Sequence, residues 1–186
     1  MNRASQSAEL ERLAEGIRRC TKCRLCERRT HAVPGEGDAG AAIMLVGEGP
    51  GAREDRTGRP FVGRSGKLFD DLLAGAGLTR ERVFITSAVK CRPPNNRTPR
   101  VDELRICREA WLEAQIACID PNLVILLGRT AIRSVLDETP PLGRVHGEIR
   151  ERDGRRFGLT YHPAAGLRAD DVAERLRADL ADLARL

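Results

Sequence analysis

Long apolar stretches are missing from this chain of 186 residues. The longest apolar runs, such as 43–46 and 123–127, fall far short of the roughly 20 residues that a membrane-spanning helix needs. The N-terminal segment is polar and charged and has no apolar centre, so it does not resemble a secretory signal. We therefore expect a cytoplasmic protein that does not associate with membranes.

Aromatic residues are also scarce, at 3% of the chain, and arginine supplies nearly all of the 32 basic residues. The only lysines are Lys22, Lys67 and Lys90. A net charge of +5 suits a polyanionic partner such as nucleic acid. Because 27 acidic residues are interspersed with the basic ones, a merely solvated surface explains the charge equally well. Charge alone permits DNA binding without establishing it.

The length suits one compact domain, which we take to span residues 1–186. Apolar runs predict strands at 41–46, 83–89 and 122–128, and a last strand within 155–165 that runs into a loop. Apolar residues at helical spacing predict helices at 7–19, 65–76, 101–119, 130–136 and 169–186. Strands that alternate with helices imply right-handed crossovers and a mostly parallel sheet covered on both faces.

Ligands of such sheets bind at the carboxyl ends of the strands. Three loops follow predicted strands: GEGPG at Gly47 to Gly51, the turn from Ser87 to Cys91, and the loop at His162. The GEGPG loop fits neither a dinucleotide-binding nor a phosphate-binding glycine motif, and no helix start is evident directly after it. It places one carboxylate, Glu48, directly after a strand, although a simple turn is the alternative. We expect the three loops to converge on one edge.

Two ring-bearing residues stand outside regular patterns. Phe61 lies among glycines and a proline, which predicts no core role and a ring face available for stacking on a flat ligand. His162 is followed by Pro163 and small residues, which suits a loop pressed against a ligand. An ordinary surface or core histidine is the alternative for His162.

Six cysteines without an export signal argue against disulfides and favour metal binding, catalysis or buried thiols. Four of them form two separated pairs that suit zinc or an iron–sulfur cluster: Cys20, Cys23, Cys91 and Cys107. Spacing alone does not choose the metal. Cys26 forms an equally good chelating pair with Cys23, but we leave it out of the predicted set. Cys118 lies at helical spacing on an apolar helix, which predicts a buried thiol.

Three segments in order resemble the signature regions of the family 4, iron–sulfur uracil-DNA glycosylases: GEGPGAREDRTGRPFVGRSGKLFDDLL, FITSAVKCRPPNNRTP and TYHPAA. The resemblance implies a three-layer α/β/α domain with a central four-stranded parallel sheet. It implies a four-iron, four-sulfur cluster held by the four paired cysteines. It also implies a DNA repair enzyme, expected to be a monomer, that hydrolyses the N-glycosidic bond of uracil in single- or double-stranded DNA and leaves an abasic site.

The resemblance also implies roles for residues of the three loops. Glu48 and Gly49 would border the flipped uracil, with Glu48 near the sugar carbon to which water adds. Phe61 would stack on the base. His162 would donate a hydrogen bond to the uracil O2 as the glycosidic bond lengthens.

One position departs from the family pattern. Ser87 stands where the family usually has an asparagine that forms hydrogen bonds with the uracil edge. The sequence around it, TSAVKC, resembles that of the related family 5 enzymes. A serine hydroxyl is shorter and can donate or accept, so base selection should be less strict. We hypothesise weaker activity on uracil, or activity on hypoxanthine or xanthine as well. Two alternatives stay open: an iron–sulfur protein that binds damaged DNA with little or no catalysis, and a cysteine–zinc nucleic-acid module.

Overall fold

A computed structural model describes residues 2–185 and shows a six-stranded sheet in the order β1-β3-β2-β4-β6-β5. The strands are β1 (Glu36–Gly37), β2 (Ile43–Gly47), β3 (Phe84–Ser87), β4 (Leu123–Leu127), β5 (Ile149–Arg152) and β6 (Arg155–Thr160). The four inner strands are parallel, as predicted. The two edge strands pair antiparallel and widen the sheet beyond the expected four strands.

Helices cover both faces of the sheet, which confirms the predicted α/β class. They are α1 (Arg3–Arg18), α2 (Ala52–Thr57), α3 (Arg64–Gly75), α4 (Val101–Cys107), α5 (Glu113–Ile119), α6 (Arg129–Leu136), α7 (Leu142–Val145), α8 (Pro163–Gly166) and α9 (Asp170–Leu183). The last residue of the helix predicted at 169–186 lies outside the described residues. None of the helices within 2–185 is long and apolar enough to span a bilayer.

Strand β4 shows why the core forms on both faces. All five of its residues are buried, and side chains alternate between the faces of a strand. Val124 and Leu126 pack in the cluster that includes α5 and α6. Ile125 and Leu127 pack in the opposite cluster with α3 and α9. A strand buried on both faces has a continuous apolar sequence, which is the pattern that predicted it.

Two local features differ from the sequence predictions. Helix α2 begins at Ala52, directly after the GEGPG loop, although no helix start was expected there. Its sequence, AREDRT, has no apolar period, and its buried residues are the carboxylates Glu54 and Asp55. The helix predicted at 101–119 is interrupted between α4 and α5 by a π-helical turn over Arg108–Leu112. Such turns are often found at functional sites, and this one directly follows Cys107.

Candidate active site

The carboxyl ends of the parallel strands bring the predicted loops to one edge of the sheet. Gly47 ends β2 and pairs with Ser87, which ends β3. The amide of Ala88 donates to the Gly47 carbonyl at 2.9 Å and joins the loops that follow these strands. Strand β6 ends at Thr160, two residues before His162. The GEGPG loop and the Ser87 turn are therefore neighbours. The histidine loop lies at the same edge beyond β4, and a Cβ on Gly47 would lie 3.6 Å from His162 Nε2.

Phe61 is part of the core, which corrects the prediction that it has no core role. Its side chain is 6% exposed and its ring stacks on Phe69 with centroids 4.5 Å apart. The ring of His162 lies 5.6 Å away at 27° to it. Phe61 therefore connects the core residue Phe69 to His162. Sequence spacing missed this contact because Phe61 packs from a turn and not from a periodic element.

The turn that carries Phe61 is held by two buried or half-buried polar side chains. Glu54 Oε1 accepts hydrogen bonds from the amides of Val62 at 2.9 Å and Gly63 at 2.7 Å. Arg80 donates to the carbonyl oxygen of Phe61. These bonds support the left-handed backbone of Phe61, whose φ is 49°. A non-glycine residue in that region costs free energy, so the surrounding contacts must stabilise it.

Two glycines let the rings approach the strand ends. A Cβ on Gly47 would lie 2.6 Å from Phe61 Cζ. A Cβ on Gly128, which directly follows β4 and has a φ of 88°, would lie 2.9 Å from His162 Cβ. Both distances are far below van der Waals contact. Any side chain at either position would push a ring out of place.

His162 is held in one neutral tautomer. Its Nδ1 accepts a hydrogen bond from the Ala164 amide at 3.1 Å, so the ring proton resides on Nε2. The pKa of His162 is lowered from 6.5 to about 4, mainly by burial. The charge of Glu54 opposes this shift, and the charge of Arg168 contributes to it. The imidazole is therefore uncharged at neutral pH. A neutral ring with its Nε2–H available can donate a hydrogen bond without bringing a positive charge.

The carboxylate of Glu48 is half-buried on the neighbouring loop. Its Oε2 accepts a hydrogen bond from the Thr130 hydroxyl at 2.5 Å. Gly49, the next residue, lies against Val89 of the adjacent loop, where a Cβ would come within 2.7 Å of Val89 Cγ2. The GEGPG loop is thus packed against the turns that follow both β3 and β4.

Lys90 is a site residue that the sequence reasoning missed. It is only 1% exposed, and its Nζ donates to Thr86 Oγ1 at 2.5 Å and to the Ser87 carbonyl at 2.8 Å. Burial lowers the pKa of Lys90 to about 8, while the nearby thiols of Cys107 and Cys91 act in the opposite direction. The lysine supports the Ser87 turn from inside. No periodic pattern in VKC distinguishes such a lysine from an exposed one.

Leu167 is a second missed residue. It lies at the end of the histidine loop, and 46% of it is exposed, which is unusual for a large apolar side chain in this structure. Arg168 follows it and is also exposed. The only available signal was an apolar residue between the short helix α8 and the long helix α9.

The four predicted cysteines lie in one apolar region. Cys91 and Cys107 are buried, Cys20 and Cys23 are half-buried, and the lining includes Ile17. Burial is the main cause that raises the pKa of Cys23 and Cys91, and it raises that of Cys107 to about 12. The negative charge of a neighbouring cysteine thiolate acts in the same direction in each case.

Two side chains donate hydrogen bonds to these sulfurs. Trp111 Nε1, on the π-helical turn, donates to Cys20 Sγ at 3.2 Å. Arg29 donates to Cys91 Sγ at 2.9 Å and to the Arg18 carbonyl at 2.9 Å. Arg29 thereby joins the end of α1, near the first cysteine pair, to the second cysteine region. Donors to sulfur are typical of the surroundings of ligated thiolates.

Of the two remaining cysteines, Cys118 has the buried position predicted for it, on α5. Cys26 lies half-buried on a short turn. Its charge is a minor cause of the raised pKa of Cys23. Within residues 2–185, no group of three or more Cys, His, Asp or Glu lies close enough to share a single metal ion.

Comparison with known proteins places the chain in a family. Residues 34–184 match the family model described as the uracil DNA glycosylase superfamily. The type-4 uracil-DNA glycosylase of Pyrobaculum aerophilum is 42% identical over 183 residues, which cover 93% of this chain and 92% of that protein. The type-4 uracil-DNA glycosylase of Thermotoga maritima is 44% identical over 161 residues, or 86% of this chain and 83% of that protein.

A more distant relative has the type-5 name. The type-5 uracil-DNA glycosylase of Pyrobaculum aerophilum is 36% identical over 173 residues, which cover 81% of this chain and 76% of that protein. The type-4 and type-5 relatives both match most of the chain. With the α/β/α architecture and the converging loops, these matches show that the chain belongs to the uracil-DNA glycosylase superfamily.

Proposed function

We propose that this chain is a monofunctional DNA glycosylase that hydrolyses the N-glycosidic bond of uracil in DNA and leaves an abasic site. The observation that carries the proposal is a neutral His162, stacked beside Phe61, on the loop next to the Glu48 carboxylate. A hydrogen-bond donor and a carboxylate are thus available on neighbouring loops of one edge.

His162 acts on the leaving base. As the glycosidic bond lengthens, negative charge develops on the uracil, and a donor aimed at O2 stabilises it. Because Nδ1 is occupied by the Ala164 amide, the Nε2–H is the donor that the ring offers. The hydrogen bond strengthens as charge develops on O2, so it favours the transition state over the bound substrate.

Glu48 acts on the sugar. Bond cleavage leaves positive charge there, and a nearby carboxylate stabilises that charge and orients the water that adds to the sugar carbon. A Schiff base is not part of the mechanism, since it needs an accessible lysine amine. Lys90, next to the Ser87 turn, is buried and donates its hydrogen bonds to the protein.

The base occupies the space between these loops. Phe61 is the proposed stacking partner of the base. Because its ring is 6% exposed and contacts both Phe69 and His162, binding of the base must displace one of these ring contacts. Gly49 borders the base with its backbone. Ser87, at the end of β3, reads the edge of the base. Its hydroxyl donates or accepts one hydrogen bond, so it discriminates less strictly than an amide with both groups. We propose that the range extends to other deaminated bases such as hypoxanthine and xanthine.

DNA contacts follow from the surface around this edge. A base in a duplex must be extruded at a cost of a few kcal/mol. The exposed Leu167 is placed to fill the space that the base leaves, as apolar wedges do in distorted DNA. Exposed arginines at the starts of helices and after α8 provide phosphate contacts: Arg53, Arg64, Arg129 and Arg168.

A four-iron, four-sulfur cluster fits the apolar cysteine region: Cys20, Cys23, Cys91 and Cys107. The donors Trp111 and Arg29 suit ligated thiolates better than buried neutral thiols. The thiolates of these four cysteines would hold the cluster. When bound, the cluster supplies cross-links that fix the loop at 92–100 to the N-terminal segment. We further propose that the chain acts as a single-domain monomer in the cytoplasm.

Cleavage by alkali of labelled oligonucleotides that have been treated with the protein tests this function. The native chain should convert uracil, hypoxanthine or xanthine in these substrates to abasic sites, and alkali should then cut the strands there. Glu48→Ala and His162→Ala should each lose at least tenfold in rate, since each removes a charge-stabilising contact. Ser87→Asn should raise the preference for uracil over hypoxanthine.

The outcomes separate the alternatives. If the protein is brown and folded and binds damaged DNA but releases no base from any substrate, the proposal is wrong. The chain would then be an iron–sulfur protein that binds damaged DNA without catalysis. A colourless protein that contains zinc would contradict the cluster. Equal activity of the native chain and Ser87→Asn on all three bases would remove the proposed role of Ser87.

A further inference from the structure

A fourth strand-end loop, which the sequence did not single out, lies between the two loops that carry the proposed chemistry. In the sheet, β4 is flanked by β2, which leads to Glu48, and β6, which leads to His162. The turn after β4 contacts both. Gly128 lies against His162, and the Thr130 hydroxyl donates to the Glu48 carboxylate.

The Thr130 hydroxyl has no role in starting its own helix. Gly128 is the N-cap residue of α6, Thr130 is the second helical residue, and no side chain caps this helix. The side chain is half-buried, and its oxygen lies 2.5 Å from Glu48 Oε2. Among residues 2–185, Thr130 is the one residue whose side chain donates a hydrogen bond to the Glu48 carboxylate.

This hydrogen bond fixes the orientation of the Glu48 carboxylate. A glutamate rotates about its terminal torsion, which is broad and roughly two-fold. A donor fixed on α6 selects one orientation and occupies Oε2, so Oε1 remains for the water or the sugar. Holding a reacting group in one geometry accelerates a reaction even when the holding group touches no substrate.

We propose that Thr130 is a positioning residue for the glycosylase reaction, acting through Glu48. The inference rests on the proposed function and on the role of Glu48 in it. Gly128 and Thr130 together make the β4–α6 turn the common support of the base-side and sugar-side groups.

A double-mutant cycle under single-turnover conditions tests the inference on a uracil oligonucleotide. Thr130→Val keeps the size of the side chain and removes the donor, Thr130→Ser keeps the donor, and both are combined with Glu48→Ala. We expect Thr130→Val to lower the maximal rate about tenfold, the usual effect of one hydrogen bond to a charged group, with little change in substrate affinity. Thr130→Ser should remain within about twofold of the native rate.

The Glu48→Ala background separates positioning from general structure. Thr130→Val should cost no further rate there, because the group it positions is gone. An equal loss in both backgrounds, or native activity of Thr130→Val, would overturn the inference while leaving the glycosylase function intact. Absence of uracil release by the native chain, or full activity of Glu48→Ala, would overturn the proposed function itself or the role of Glu48, and the inference with it.

Discussion

The neutral state of His162 makes the stability of the protein depend on pH in a calculable way. The pKa of this histidine is about 4 in the folded chain, against 6.5 as its ordinary value. As pH falls from about 7.5 to about 5, the unfolded chain takes up a proton at this position and the folded chain does not. The free energy of unfolding therefore falls by about 2 kcal/mol over this range through His162 alone.

Urea unfolding of the native chain and of His162→Gln at both pH values measures this contribution. The variant should lose less stability on acidification, by about 2 kcal/mol, because every other titrating group is shared. An identical pH dependence in His162→Gln and the native chain would refute the buried, neutral histidine. Nitrogen NMR of the ring should show the proton on Nε2 at neutral pH.

Three further predictions follow from contacts in the site and core. Gly128→Ala should lower uracil release at least tenfold by displacing the catalytic imidazole, whereas Gly77→Ala, also at positive φ but with no atom within 4 Å, should not. Arg29→Gln should release iron to a chelator faster than the native protein, as followed by the loss of brown colour, and Arg28→Gln, which removes the same charge one residue away, should not. Phe69→Ala should lower the free energy of unfolding by about 3–5 kcal/mol in urea titrations, because it removes a fully buried ring.

The sequence predicted the buried parallel strands well because their physical signal is local. A strand covered on both faces must be apolar throughout, and the runs at 43–46 and 123–127 have no other explanation at that length. The edge strands were missed because Glu36–Gly37 has two residues and three of the four residues of Ile149–Arg152 are charged. Edge strands need little apolar surface, so their sequences resemble loops.

A residue type that carries chemistry can be singled out from the sequence, whereas a contact cannot. Glu48 and His162 were selected because each lies on a loop that follows a predicted strand, and their roles stay predictions. The support from Thr130 could not be singled out, because it depends on sheet order, which brings β4 between the other two strands. Phe61 was misread for a related reason: it packs on Phe69, and a turn residue gives no periodic signal of such a contact.

The glycines beneath the rings restrict how this site can evolve. Alanine, the smallest possible side chain at Gly47 or Gly128, would collide with Phe61 or His162, so a change at either glycine removes existing chemistry before new chemistry can arise. Ser87 is different, because it already has a side chain and its backbone is an ordinary strand end without a positive φ. New base preferences in descendants of this protein should therefore arise by substitution at position 87, while the two glycines stay the same.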